Sequence, residues 1–296
     1  MMQNTVIALG FFDGVHIGHG ALLRRTVERA RELGAHSAAF TFDRSPKEFV
    51  TGERVPLLTD VPERCALMRR LYGVEEVIVA QFDRAMMTMP WEDFLGSLLV
   101  AQHGAVHLVA GHDFRFGHRN EGDSTRLRAW CLSHGVGCDV IPAVTLDGVT
   151  VSSTHIRALV EAGEMERAAA FLGHAYALTG AVRHGKHLGT EELFPTVNLR
   201  PEPWHVLPRF GVYAVRVTLP DGSACPGVTN VGVRPTIVDD DSVTIETNLI
   251  GFDGDLYGAE LRIELLRYLR PERRFDSMAA LHAQIERDIE QARDLA

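Results

Sequence analysis

The chain has 296 residues, 46% of them hydrophobic, with 30 Lys and Arg against 39 Asp and Glu, a formal charge of −9. At about 150 residues per domain this length predicts two domains, and the apolar content suffices for two cores, which excludes a disordered chain. The acidic balance argues against a duplex nucleic-acid binder, and apolar runs such as Val6–Phe12 and Leu98–Ala101 fall far short of the ~20 residues of a membrane-spanning helix.

Strand-like and helix-like segments alternate through the first half. Thr5–Leu9 reads as a strand ending at Gly10. Ala21–Leu33 has Leu23, Val27 and Ala30 on one helical face and stops at Gly34. Ala35–Phe42 is a strand, and Pro62 opens a helix with Leu67, Met68 and Leu71 on its apolar side. Val77–Val79, Val106–Ala110 and Asp139–Val144 are further strands, separated by helices at Pro90–Gln102 and from Asp123 to Leu132. Such alternation predicts a parallel sheet covered on both faces, with ligands at the carboxyl ends of its strands. After a helical stretch Thr154–Leu172, broken at Gly163, the pattern changes. Tyr176–Val182, Gly211–Thr218, Gly227–Val233, Val243–Ile250 and Leu261–Tyr268 read as strands of a small antiparallel sheet or barrel. A helix capped by Asp276 or Ser277, with Leu281, Ile285 and Ile289 as its stripe, closes the chain. The boundary is placed at residue 173, giving domains 1–173 and 174–296.

Met1-Met2-Gln3-Asn4 has no basic segment of the kind that begins a signal peptide, so a cytoplasmic location is expected. Cys65, Cys131, Cys138 and Cys225 form no Cys-x-x-Cys pair and no zinc pattern. They are expected as free, mostly buried thiols, with a Cys131–Cys138 bridge as the alternative.

Three segments carry chemistry. The first is Gly10-Phe11-Phe12-Asp13-Gly14-Val15-His16-Ile17-Gly18-His19, between strand and helix. A helix start offers unpaired N–H donors and partial positive charge, Gly14 and Gly18 let a phosphate approach, and His16 and His19 can both face it. By spacing alone, two histidines beside a helix cap are an ordinary surface feature; the position after a first strand is what raises their interest. The second is Val151-Ser152-Ser153-Thr154-His155-Ile156-Arg157, where hydroxyls can cap a helix and Arg157 can clamp a polyphosphate. The third runs from Gly111 to Asp123. There Asp113, Phe114 and Phe116 can seat a flat heterocycle, or the two aromatic rings can simply be buried.

Taken together, His-x-Gly-His, Ser-Ser-Thr-x-x-Arg and Gly-x-Asp-Phe-Arg-Phe-Gly resemble the FMN adenylyltransferase module of bacterial bifunctional riboflavin kinase/FAD synthetases. Class I aminoacyl-tRNA synthetases share His-x-Gly-His but follow it with a lysine-rich loop that this chain lacks. The resemblance implies a Rossmann-like nucleotidyltransferase domain that binds ATP with Mg²⁺ and transfers AMP to FMN, giving FAD and pyrophosphate. It implies that His16 and His19 hold the ATP phosphates, with Gly10, Phe12, Asp13, Gly14 and Gly18 around them. Ser152, Ser153, Thr154 and Arg157 would close on the triphosphate, and Asp113 and Phe114, with Phe116, would seat flavin or adenine. One departure stands out: where the family has Asp-Pro-His-Pro, this chain has Asp43-Arg44-Ser45-Pro46.

The second half resembles the riboflavin kinase barrel through Phe194-Pro195-Thr196-Val197-Asn198, Thr229-Asn230-Val231-Gly232-Val233-Arg234-Pro235-Thr236, Ile245-Glu246-Thr247-Asn248 and Asp255-Leu256-Tyr257-Gly258. This implies Thr196 and Asn198 as holders of Mg²⁺ and ATP phosphate, Gly185 and Gly189 in the phosphate loop, and Glu246 as the base that deprotonates the ribityl hydroxyl of riboflavin. From the residues alone, Glu246 reads equally as a solvent-facing strand carboxylate. The loop departs from Gly-x-Gly-Arg-Gly-Arg-x-Leu-Gly: it reads Gly185-Lys186-His187-Leu188-Gly189-Thr190-Glu191-Glu192-Leu193. Losing both arginines and gaining two carboxylates is expected to weaken triphosphate binding by roughly several kcal/mol. The expected partners are therefore small molecules (ATP, FMN and riboflavin), with no nucleic acid and no membrane. Two other readings fit the same residues: a specialised paralogue acting on a modified flavin or another phosphorylated metabolite, and an inert flavin-binding regulator.

Overall fold

The computed structural model describes residues 4–183, 196–233 and 243–295, which fall into two compact units, Met1–Ser153 and Thr154–Ala296. The first unit is a five-stranded parallel sheet built from β1 (Thr5–Leu9), β2 (His36–Phe42), β3 (Glu76–Ala80), β4 (Ala105–Gly111) and β5 (Gly137–Ile141), in the order β3-β2-β1-β4-β5. Helices cover both faces, as the alternation predicted. On one side α1 (Ile17–Leu33) packs Leu23, Val27 and Ala30 against Val6 and Ala8; on the other Leu95 and Leu99 meet Ile7 and Leu9. Every residue of β1 is buried, the mark of a central strand with helices on both sides.

The boundaries moved for local reasons. α1 begins at Ile17, four residues before the apolar stripe suggests, because His16 itself is the N-cap. α2 (Pro46–Thr51) starts from Ser45, and α3 (Val61–Tyr72) starts from Asp60 with proline in its first turn. Short helices α4 (Arg84–Thr88) and α5 (Trp91–Asp93) lead into a π-helix, Phe94–Gln102, rather than the ordinary helix expected. Its wider turn brings Phe94, Leu95 and Leu99, spaced by four and five, onto one buried face. After α6 (Ser124–His134), β5 ends before Pro142, which has no N–H for the ladder. Residues 142–144, expected to continue it, join no element, and an unexpected hairpin follows, β6 (Thr145–Leu146) and β7 (Val149–Thr150), turning at Asp147-Gly148. All four cysteines are free, so the Cys131–Cys138 bridge is not formed.

In the second unit α7 (Ser153–Ala162) and α8 (Met165–Leu172) break at Gly163, where φ is +81°. Six strands follow: β8 (Tyr176–Ala181), β9 (Thr196–Leu199), β10 (Gly211–Thr218), β11 (Ala224–Val233), β12 (Val243–Leu249) and β13 (Glu260–Arg270). They pair antiparallel in the order β8-β13-β10-β11-β12-β9. The ends of this sheet meet, because Arg183, just beyond β8, pairs with Asn198 of β9 and donates its N–H to the Asn198 carbonyl at 2.9 Å. The sheet is thus curled into the expected barrel. β9 itself is absent from the alternation reading, since four residues are too few to show a period.

Tyr213, Val215, Val231, Ile245, Ile263 and Leu265 fill the barrel, all at most 1% exposed. Thr229 and Thr247, opposite each other and wholly buried, pair their hydroxyls inside it. The outer face carries α9 (Met278–Arg293), capped by Ser277, whose Ala292 packs on Val212, Ala214 and Val228. The expected stripe is only partly right. Gln284 and Asp288 are more buried than Leu281, Ile285 and Ile289, because Asp288 takes a two-pronged ion pair from Arg270 and Gln284 is held by Arg273 and Asp288.

Candidate active site

In a sheet ordered β3-β2-β1-β4-β5 the connections leave β1 and β4 in opposite directions, so a crevice opens at their carboxyl ends. The first motif follows β1 and the third follows β4. The chain leaving β1 is strained: Phe12 and Val15 are non-glycine residues at φ +58° and +41°, and both are buried. Such backbone persists only where its surroundings hold it. Asp13, 2% exposed, does much of the holding: its Oδ1 accepts the N–H groups of Leu58 at 2.9 Å and Thr59 at 3.2 Å. The N–H of Gly14 in turn donates to Thr59 Oγ1 at 3.0 Å.

This loop delivers the two histidines. His16 Nδ1 accepts the backbone N–H of His19 at 3.2 Å, which puts the neutral ring's proton on Nε2. The rings stack with centroids 3.5 Å apart at 13°, and Phe12 meets His19 edge-on at 5.2 Å. Gly18 lies under this stack. A Cβ there would stand 3.1 Å from Cε1 and Nδ1 of His16, so the glycine makes room for the imidazole. Burial, then His16 and then Arg64, holds the His19 pKa well below its ordinary value. The neutral form of the ring is thereby favoured.

Two residues of the second motif lie against the first: Ser153, opening α7, donates its hydroxyl to the Asp13 carbonyl at 2.9 Å, and Val151 lies beside Gly18. Ser152 precedes this contact. Thr154 is exposed in the first turn, and Arg157 stands one turn along the same helix. In the third motif Asp113 is exposed and Phe114 half-buried, whereas Phe116 is 5% exposed and packs between Phe94 and Trp91. Phe116 belongs to the core and stacks on Phe114 at 5.4 Å. Ser45, where the family has histidine, caps α2 by accepting the N–H of Glu48.

In the barrel, Glu246 lies directly opposite Asn198 of β9 on one side and Asn230 of β11 on the other. Thr196, exposed, is opposite Asn248. Directly opposed residues share a sheet face, so Thr196, Asn198, Asn230, Thr244, Glu246 and Asn248 form one polar patch on the outer side. Glu272 reaches back onto it, accepting from Asn230 Nδ2 at 2.8 Å. Hydroxyl, amide and carboxylate oxygens in this setting suit a hard divalent cation. Gly185 and Gly189, with the rest of loop 185–193, lie outside the described residues.

The sequence reading gave no role to Thr59, Arg64, Asn230 or Glu272. Two had a signal: Asn230 lies in one of the strings that carry the resemblance, and Arg64 falls three and four residues before Leu67 and Met68, a charge on the apolar stripe of α3.

Residues 1–155 match the family model of FAD synthetase, and residues 172–296 match that of riboflavin kinase. A bifunctional riboflavin kinase/FMN adenylyltransferase from Pseudomonas fluorescens is 38% identical, over 99% of this chain and 94% of its own length. One of the same name from Listeria monocytogenes is 34% identical, over 98% and 92%. Among solved structures, a macrolide-efflux protein from Streptococcus pneumoniae has a TM-score of 0.88 at 26% identity, covering 100% of this chain and 96% of that one. Efflux is that protein's description; here no helix among the described residues is long and apolar enough to cross a membrane. With both family models matched in order and curated relatives aligned almost end to end, the chain belongs to the bifunctional riboflavin kinase/FMN adenylyltransferase family.

Proposed function

We propose that the chain makes FAD in two ATP-dependent steps, with residues 174–296 phosphorylating riboflavin and residues 1–173 adenylating the FMN produced. The observation that carries the adenylyl-transfer reading is the stacked His16–His19 pair at the sheet's switch point, tied to the second motif through Ser153. The phosphate of FMN is already an anion, so no covalent nucleophile is required. Alignment and neutralisation of charge on the transferring phosphorus supply the catalysis. His16 and His19 donate hydrogen bonds to the ATP phosphates. The first turn of α7, with Ser152, Ser153, Thr154 and Arg157, takes the pyrophosphate leaving group. Asp113 and Phe114 seat the flat ring.

In the barrel, Glu246 removes the proton from the terminal ribityl hydroxyl as it attacks the γ-phosphorus. Thr196 and Asn198 are the residues that would hold Mg²⁺, which supplies charge neutralisation of the triphosphate.

Product analysis tests both halves on one sample. FMN with ATP is expected to yield FAD and pyrophosphate, and riboflavin with ATP to yield FMN. His16→Ala is expected to abolish the first reaction only and Glu246→Ala the second only. Loss of both activities in either variant, or no product from the native chain, sinks the proposal.

A further inference from the structure

Arg64 has no place in the machinery above, yet it is the largest wholly buried side chain of the first unit. It lies under the loop between β1 and α1. Its NH1 donates to the Phe11 carbonyl at 2.9 Å, Thr41 Oγ1 at 3.1 Å and the Phe42 carbonyl at 3.2 Å, the points where β1 and β2 end. Its guanidinium carbon stands 4.2 Å from the Phe11 ring centroid. Nε and NH2 are buried with no hydrogen-bond partner, and among the described residues no carboxylate forms an ion pair with this arginine.

A buried cation so incompletely satisfied is costly, and burial pulls its pKa down from the ordinary value. Nearby negative groups compensate only in part. Asp13 spends its Oδ1 on the N–H groups of Leu58 and Thr59, Asp60 caps α3, and Cys65 is a thiol that burial keeps protonated. An arginine nevertheless stays charged in proteins.

We infer that Arg64 is a positioning residue of adenylyl transfer, which clamps the strand ends carrying the catalytic loop and sets a partly compensated positive charge beneath that loop. The inference rests on the adenylyl-transfer reading above. The charge acts in two ways. It opposes protonation of His19, keeping the ring neutral in the stack, and it adds a fixed attraction for the polyphosphate and flavin phosphate that meet there. The groups facing His19 are His16 on its own helix, Phe12 on the loop and Arg64 from α3. Only Arg64 brings a permanent charge.

Arg64→Lys and Arg64→Gln separate charge from hydrogen bonding. Lysine keeps the charge and loses the fork; glutamine keeps an N–H donor and loses the charge. His19 is followed by NMR titration of ring-labelled histidine, beside steady-state formation of FAD from FMN and ATP. Riboflavin phosphorylation reports on the integrity of the chain. In the native protein His19 is expected to stay neutral well below pH 6.5, and in Arg64→Lys to do the same with kcat within about tenfold of native. In Arg64→Gln the titration is expected to move upward, with kcat for FAD formation falling roughly a hundredfold and riboflavin phosphorylation unchanged. An equal loss in both variants with no movement of the titration overturns the inference and leaves a purely structural clamp. An ordinary His19 titration near 6.5 in the native chain overturns it without any variant. A native chain that forms no FAD at all sinks the underlying reading instead.

Discussion

Gly18→Ala separates the stability of this fold from its chemistry. Gly18 is the second residue of α1, where alanine ordinarily favours the helix by up to ~1 kcal/mol over glycine. Its φ lies outside the left-handed region, so alanine brings no backbone penalty. The new Cβ, however, would meet Cε1 and Nδ1 of His16 at 3.1 Å. Carbon atoms prefer about 3.5–4.0 Å, so the imidazole must retreat by roughly half an ångström. That ring is stacked on His19 and accepts the His19 N–H at 3.2 Å, a bond with no slack to lose. If a misplacement of about 1 Å costs 10²-fold in rate, half of it costs roughly tenfold, or ~1.4 kcal/mol in the barrier. The assay is FAD formation from FMN and ATP, with riboflavin phosphorylation and the thermal midpoint measured on the same preparation. The expected result is a tenfold slower adenylyl transfer, unchanged phosphorylation and a midpoint equal to or above native. FAD formation within about twofold of native would refute the claim that the His16 ring position governs the chemistry.

Other consequences are equally open to measurement. Asp139 on β5 accepts from Arg25 at 2.8 Å, Arg29 at 2.9 Å and His107 at 3.1 Å; burial alone would raise its pKa, but the hydrogen bonds from Arg29 and Arg25 bring it down to about 2. A carboxylate depressed on folding stabilises the fold fully above its unfolded pKa near 4, and that contribution fades as pH falls towards 2. Asp139→Asn is therefore expected to lose roughly 2 kcal/mol at pH 7 in urea unfolding, with the gap to native narrowing below pH 4; a gap constant down to pH 2.5 contradicts it. In the barrel, Thr229→Val strands the Thr247 hydroxyl away from water and is expected to cost about 1–3 kcal/mol. The double change Thr229→Val with Thr247→Val is expected to recover most of that loss, and a double variant no better than the single one argues against the pair. Ser45→Ala removes the α2 cap and is expected to lower stability by about 1 kcal/mol while leaving riboflavin phosphorylation untouched, read by thermal melting and the kinase assay.

Much of this protein is legible in its sequence. The strict alternation of apolar runs and amphipathic stretches determines a parallel sheet covered on both faces, because strands buried on two sides lose their period and helices keep theirs. The change to alternating segments with turn residues marks the second unit as antiparallel, the His-x-Gly-His string gains its interest from its position after the first strand, and the Glu246 string is legible only through the family resemblance. These signals are local, each spanning fewer than twenty residues.

What the sequence cannot express is which distant groups share one environment. The resemblance places Asp13 around the ATP phosphates, and folding turns its Oδ1 inward onto Leu58 and Thr59, because two buried N–H groups need an acceptor. Phe116 reads either as a stacking platform or as a buried ring, and the core formed with Phe94 and Trp91 decides for burial. Gly18 reads as space for a phosphate, and the structure gives that space to His16. Arg64 falls on the apolar stripe of α3, and only tertiary packing shows that it is buried beneath the strand ends it clamps. Periodicity determined the longer elements of both units; only three-dimensional packing, by deciding which polar groups must satisfy one another out of water, decided which residues scaffold the site and which are left to act in it.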